Sequence, residues 1–144
     1  KVGYSKNWIN QRLKSIEIRK ELTDEWKTRG LKEGQQFATL TDIITKAWAN
    51  KTTKEYKVLK GLKKENLRDN MTNTELILNM LAEASAKDIS QAVNPKDFEE
   101  SKKVAKQGGN VAKVAMKELE AKTGRKVVTA LNAKTVLQLK NKKE

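Results

Sequence analysis

The sequence predicts an all-α fold, a compact bundle of about six or seven short to medium helices, and three observations carry that expectation. Apolar residues recur at three- and four-residue steps through most of the 144 residues. Two reciprocal capping boxes, Thr52 with Glu55 and Thr72 with Glu75, mark helix starts. Strand signals are scarce: Val127-Val128-Thr129, between Gly124 and Asn132, is the one candidate for a short extended segment, near 126–131.

Each element follows from its punctuation. Ser5 can cap a helix reaching about Arg29, in which Ile9, Leu13, Ile16, Leu22 and Trp26 form an apolar stripe and Gly30 supplies the stop. After a loop from Gly30 to Gly34, Thr41 precedes a short helix to about Asn50, with Ile43, Ile44, Ala47 and Trp48 on one side. Thr52 starts a helix carrying Tyr56, Leu59 and Leu62, with Gly61 as its weak point. Thr72 starts a longer one, to about Val93, that buries Leu76, Ile77, Met80, Leu81 and Ala84. Pro95, the only proline, suits the first helical position behind an Asn94 cap, and Asp97, Glu99 and Glu100 set acid near the positive end of that helix. Gly108-Gly109-Asn110 is expected to break the pattern. Val111, Val114, Ala115 and Leu119 then resume it until Gly124. Residues 125–131 are expected as extended coil packed on the helices or half of a minimal hairpin. A last helix capped by Asn132 and carrying Val136, Leu137 and Leu139 would follow, with 140–144 frayed. No internal repeat or Pro-, Gly- or Ser-rich linker divides the chain, so residues 1–144 are taken as one domain.

Composition excludes several chemistries. The chain has no Cys and no His, which removes disulfides, thiolate zinc sites, Cys nucleophiles, His-based triads and His-containing zinc sites. Hydrophobic residues make up 37% and aromatics 5%, enough for a thin core. No apolar run approaches the roughly 20 residues that cross a bilayer, and no export signal is visible, so a cytoplasmic location and no membrane partner are expected.

Thirty-one Lys and Arg against 18 Asp and Glu leave a formal charge of +13. The excess is uneven: segments 1–53, 54–68 and 101–144 are net basic, whereas 69–100 is net acidic. Lys54, Lys57, Lys60, Lys64 and Arg68 repeat at three- and four-residue steps, which on a continuous helix makes one basic stripe. Lys102, Lys103 and Lys106 approach the double glycine, and Lys113, Lys117, Arg125 and Lys126 follow it. Such stripes can neutralise phosphates and release counterions. Equally, a Lys stripe can be a solvated face that serves solubility. The candidate nucleic-acid contacts are Lys57, Lys60, Lys64, Arg68, Lys102, Lys103, Lys106, Arg125 and Lys126.

Other chemistry is thinly supported. Gly108-Gly109-Asn110 could offer backbone amides to a phosphate but lacks the spacing and Lys-Ser/Thr ending of a nucleotide loop, and a helix corner is the simpler account. Glu120-Ala121-Lys122 is only a fragment of a metal-dependent nuclease centre. Asp24-Glu25 and Glu99-Glu100 are adjacent acids that diverge on a helix. No enzyme activity, metal or cofactor is expected. Trp8, Trp26 and Trp48 lie in or beside apolar stripes and are expected to anchor the core rather than stack on bases.

Several stretches carry a family resemblance: Tyr4-Ser5-Lys6-Asn7-Trp8-Ile9-Asn10-Gln11-Arg12-Leu13, Gly61-Leu62-Lys63-Lys64-Glu65-Asn66-Leu67-Arg68-Asp69, Met71-Thr72-Asn73-Thr74-Glu75-Leu76, Lys106-Gln107-Gly108-Gly109-Asn110-Val111-Ala112 and Thr123-Gly124-Arg125-Lys126-Val127-Val128. Over nearly its whole length the chain resembles the region that follows the BRO-N domain in bacterial, phage-related antirepressor-like proteins, a group overlapping the DNA-damage-inducible protein D family. The resemblance implies a carboxy-terminal accessory domain of a prophage-derived or damage-response regulator, with the BRO-N module, the presumed DNA-binding unit, missing upstream. It names no catalytic motif. The implied role is non-catalytic and regulatory, supporting nonspecific DNA contacts. The alternative is a module that binds only protein, either a second copy or a repair or repressor protein, with the helix from Thr72 to about Val93 as the contact element. A metal-dependent nuclease is the third option.

Overall fold

Helix α1 (Lys6–Thr28) begins where the Ser5 side chain accepts the Trp8 amide, and it ends in a turn at Gly30, whose φ of +78° suits glycine. The computed structural model describes residues 4–131. Among them the chain is an all-α bundle of five helices and one 3-10 turn, with no strand. The remaining helices are α2 (Gln35–Ala49), α3 (Thr53–Leu59), α4 (Asn73–Val93) and α5 (Phe98–Thr123), and the 3-10 turn is Arg68–Asn70.

Helix α4 is central. It packs against α1 on one side and α5 on another and also touches α2, while α5 lies along α2 and α3 rests on α2. The buried core runs through Trp8, Leu22, Trp26, Phe37, Leu40, Ile44, Trp48, Tyr56, Met71, Leu76 and Ala82, so the three tryptophans serve the interior as expected. Two of the indoles are also tied by hydrogen bonds: Trp8 Nε1 donates to the Met71 carbonyl at 2.8 Å and Trp48 Nε1 to Asn79 Oδ1 at 3.3 Å.

Both capping boxes form. Thr52 accepts the Glu55 amide while Glu55 accepts the Thr52 amide, and Thr72 and Glu75 repeat the exchange. Other boundaries differ from the sequence expectation. Helix α2 starts six residues before Thr41, behind Gly34 at φ +86° with no side-chain cap, and Thr41 sits inside the helix with its hydroxyl donating to the Phe37 carbonyl. Asn94 closes α4 in the left-handed region at φ +52° instead of opening α5; Asp97, which accepts the Glu100 amide, is the actual cap. Helix α3 stops at Leu59, so Leu62 lies beyond it.

The double glycine does not break the chain. Helix α5 passes through Gly108 and Gly109 because both backbones are pressed against neighbours. A Cβ on Gly108 would sit 2.6 Å from the Ala86 nitrogen of α4, and one on Gly109 would sit 2.5 Å from the Ile44 carbonyl oxygen of α2. The two segments expected on either side are therefore one 26-residue helix.

The buried arcs of α1 and α4 are also rotated from the apolar stripes. Leu13 and Ile16 are exposed while Ser15 and Glu25 are buried. On α4, Ile77 (43% exposed) and Leu81 (37%) face outward and Ala84 is only half-buried, whereas Leu78, Asn79, Glu83 and Ala86 join Leu76 and Met80 inside. A helix contacted on three sides buries a wide arc; on α4, Glu75, Glu83 and Ser90 have partners, while Asn79 accepts from Trp48 and its Nδ2 has none among the described residues. Residues 125–131 form no strand; they are coil, with Val127 and Val128 packed on the core. The helix expected from Asn132 and the tail 140–144 lie outside the described residues, as do positions 1–3. No described helix is long and apolar enough to cross a membrane.

Candidate nucleic-acid interface

The basic stripe expected over 54–68 is not continuous, because the chain leaves the helix after Leu59. Two of its members turn inward. Lys60, the residue closing α3, has a fully buried side chain whose Nζ lies 2.5 Å from Glu75 Oε1 and also donates to the Leu131 carbonyl. The Tyr56 hydroxyl donates to the other Glu75 oxygen. Burial lowers the Lys60 pKa against the pull of Glu75. Burial first, then the Glu75 charge and hydrogen bond, push the Tyr56 hydroxyl far above the tyrosine range.

Arg68 is the second. Its guanidinium grips Glu83 of α4 through N–H···O bonds of 2.9 and 2.7 Å, and Arg19 of α1 adds a third at 3.0 Å. Burial alone would raise the Glu83 pKa, but Arg68 and then Arg19 outweigh it and hold the carboxyl below the usual range. The same pairing raises the Arg68 pKa although burial opposes it. A third buried carboxylate, Glu25, is held by Arg29 at 2.7 Å and by the Ser90 hydroxyl at 2.6 Å. Lys60 and Arg68 are thus committed to buried carboxylates, Lys60 with a fully buried side chain and Arg68 with 18% of its side chain exposed at a small cavity.

The other expected contacts are scattered. Lys57 is half-buried beside a small cavity of about 180 Å³ that Arg68 and Asn79 also line, Lys64 is exposed, and Lys102 pairs with Glu99 at 3.1 Å and lies over the Phe98 ring. Lys103 is exposed on α5. Arg125 lines a further cavity with Leu119, Leu131 and Lys126. Lys106 and Lys126, by contrast, belong to one feature.

That feature is a groove between α2 and α5. Two adjoining cavities of about 430 and 480 Å³ share Lys46, Ala47, Asn50 and Lys113 as lining. The first adds Lys51, Lys117 and Lys126, with Trp48, Met116 and Val128 as apolar lining; the second adds Lys106 and Asn110. Its two carboxylates are already committed to the backbone: Glu120 Oε2 accepts the Val127 amide at 2.9 Å and Asp42 Oδ1 accepts the Thr53 amide at 3.0 Å. Lys46 also faces Glu55, an exposed pair at 3.7 Å, which solvent screens to little net value.

Gly109 sets the close approach of the two helices that form the groove. It lets the α5 backbone meet α2 at Ile44 and Ala47, in the turn that carries Lys46, and the next turn of α5 carries Lys113. Lys46 and Lys51 were not singled out by the sequence, since neither belongs to a run; the signal that finds them is the close α2–α5 approach. Among the described residues no group of three or more acidic side chains gathers in a way that could hold a metal ion. Comparison of the chain with protein-family models, with curated proteins and with solved structures finds no significant match to any of them.

Proposed function

We propose that this chain is a non-catalytic accessory domain that contacts nucleic-acid phosphates through the α2–α5 groove. The observation that carries the reading is the set Lys46, Lys51, Lys106, Lys113, Lys117 and Lys126 along one seam lined, among the described residues, by only two carboxylates, Asp42 and Glu120, each of which accepts a backbone amide. Point charges on flexible stems suit phosphate positioning without base readout, so the contacts are nonspecific. The resemblance to the region behind a BRO-N domain supports placing it in a prophage-derived or damage-response DNA-binding regulator. The test is affinity for a duplex and a single strand across a salt series, with Lys106, Lys113, Lys117 and Lys126 changed together to Glu. The wild-type affinity should fall steeply with salt and the variant should lose most of it. Equal affinity, or a flat salt dependence, overturns the reading.

A second reading has its own observation. Ile77 and Leu81 on α4 and Val111, Val114 and Leu119 on α5 are exposed apolar residues, which suits a protein-contact face for a second copy or for a repair or repressor protein. Sedimentation at several concentrations checks it: a strict monomer removes the second copy as the occupant.

A further inference from the structure

The groove is not uniform along its length. At the end where α2 stops, the 430 Å³ cavity combines an apolar lining, Ala47, Met116 and Val128, with Lys113, Lys117 and Lys126, and Lys46 and Lys51 line it from α2 and the turn after it. Ala47, Met116 and Val128 are half-buried, whereas Lys113, Lys117 and Lys126 are exposed. Cavities of about 300–1,000 Å³ hold small ligands or ligand parts. We infer that the partner is a single strand, and that one unpaired base enters this cavity while its phosphates lie on the lysines; the inference rests on the groove being a phosphate-contact site.

Three features orient the occupant. The Met116 thioether and the Val128 and Ala47 methyl groups offer a soft apolar surface to the face of a planar base. Trp48 is 1% exposed and its indole is tied to Asn79, so it backs the cavity and is not a stacking platform. The negative dipole end of α2 is offset by Lys46 in its last turn and by Lys51 just beyond, so this side of the rim also accepts phosphate. Phosphates therefore lie on the cationic rim, with Lys113, Lys117 and the coil residue Lys126 on one side and Lys46 and Lys51 on the other, leaving the apolar lining to the base. A duplex keeps its bases stacked inside and can reach only the lysine rim, unless it spends energy unstacking one.

The deciding experiment uses the whole chain and three probes at one salt concentration: oligothymidylate, an abasic phosphodiester strand of equal length, and a blunt duplex. Oligothymidylate should bind about tenfold more tightly than either of the others, the effect of one seated base. Met116→Ala should shrink that preference and leave the salt dependence unchanged, whereas Lys117→Ala should weaken all three probes together. If the abasic strand and the duplex bind as tightly as oligothymidylate, with a steep salt dependence, the base cavity is overturned and the phosphate groove stands. If none of the three binds, the groove itself fails and the base cavity with it.

Discussion

The Arg68 guanidinium meets the Glu83 carboxylate side by side, one nitrogen to each oxygen at 2.9 and 2.7 Å, in a site where Glu83 is 1% exposed. This two-point grip ties the loop between α3 and α4 to the middle of α4. Because Arg19 reaches the same carboxylate from α1, one acidic residue fixes three parts of the chain.

Replacing that acid should be costly. Glu83→Gln leaves two largely buried guanidinium groups without their counter-charge, and a loss of about 3–5 kcal/mol is expected in urea unfolding at neutral pH.

The same residue sets an acid response. Its folded-state pKa lies below the unfolded value of about 4.3, so in that window the unfolded chain binds more protons and stability falls as pH falls. Above the window the contribution is complete. The stability gap between wild type and Glu83→Gln should therefore be constant from neutral pH down to about pH 5 and narrow below it. A gap that does not change down to acid unfolding would contradict the assignment.

Lys60 and Lys64, alike in sequence, should separate cleanly. Lys60→Met leaves Glu75 buried without its cation and should lower stability by about 3–5 kcal/mol, whereas Lys64→Met, on the surface, should stay within about 0.5 kcal/mol. Thermal melts of the two variants decide it.

Gly109→Ala tests the packing of α5. Alanine favours a helix by about 1 kcal/mol over glycine, so a flexible break would be stabilised by the change. Here the added methyl would meet the Ile44 carbonyl oxygen and the Ala47 methyl, both at 2.5 Å, and a net loss of about 1–3 kcal/mol is expected from chemical unfolding. Gln107→Ala, exposed on the same helix, is the neutral control.

Two threonines that the sequence marks as helix starts, Thr72 and Thr41, should also differ. Thr72→Ala removes one arm of a capping box and should cost about 1 kcal/mol, whereas Thr41→Ala, inside α2, should cost less than about 0.5 kcal/mol. Equal losses in calorimetry would mean that Thr41 does cap a helix.

Those contrasts mark what local sequence can carry. The capping boxes at Thr52 and Thr72 were legible because both halves of each hydrogen-bond exchange lie within four residues. The start of α2 was not, since Gly34 offers no side-chain cap, and Asn94 was assigned to the wrong helix because Asn suits both a helix start and a left-handed stop. The double glycine was misread for a related reason: a close approach to another helix and a flexible corner look the same in one dimension. For the candidate site, Lys106 and Lys126 were within reach of charge patterning. Lys60 and Arg68 were not, because their acids lie 15 residues further along the chain and only the fold reveals the pairing.

The contact at Gly109 has one more consequence. Lysines of two helices are brought to line one seam, so like charge accumulates there and works against the packing of α2 on α5. A molecule of this design should melt at higher temperature as neutral salt is raised, and a soluble polyanion such as polyphosphate should raise its melting point further by filling the seam with opposite charge.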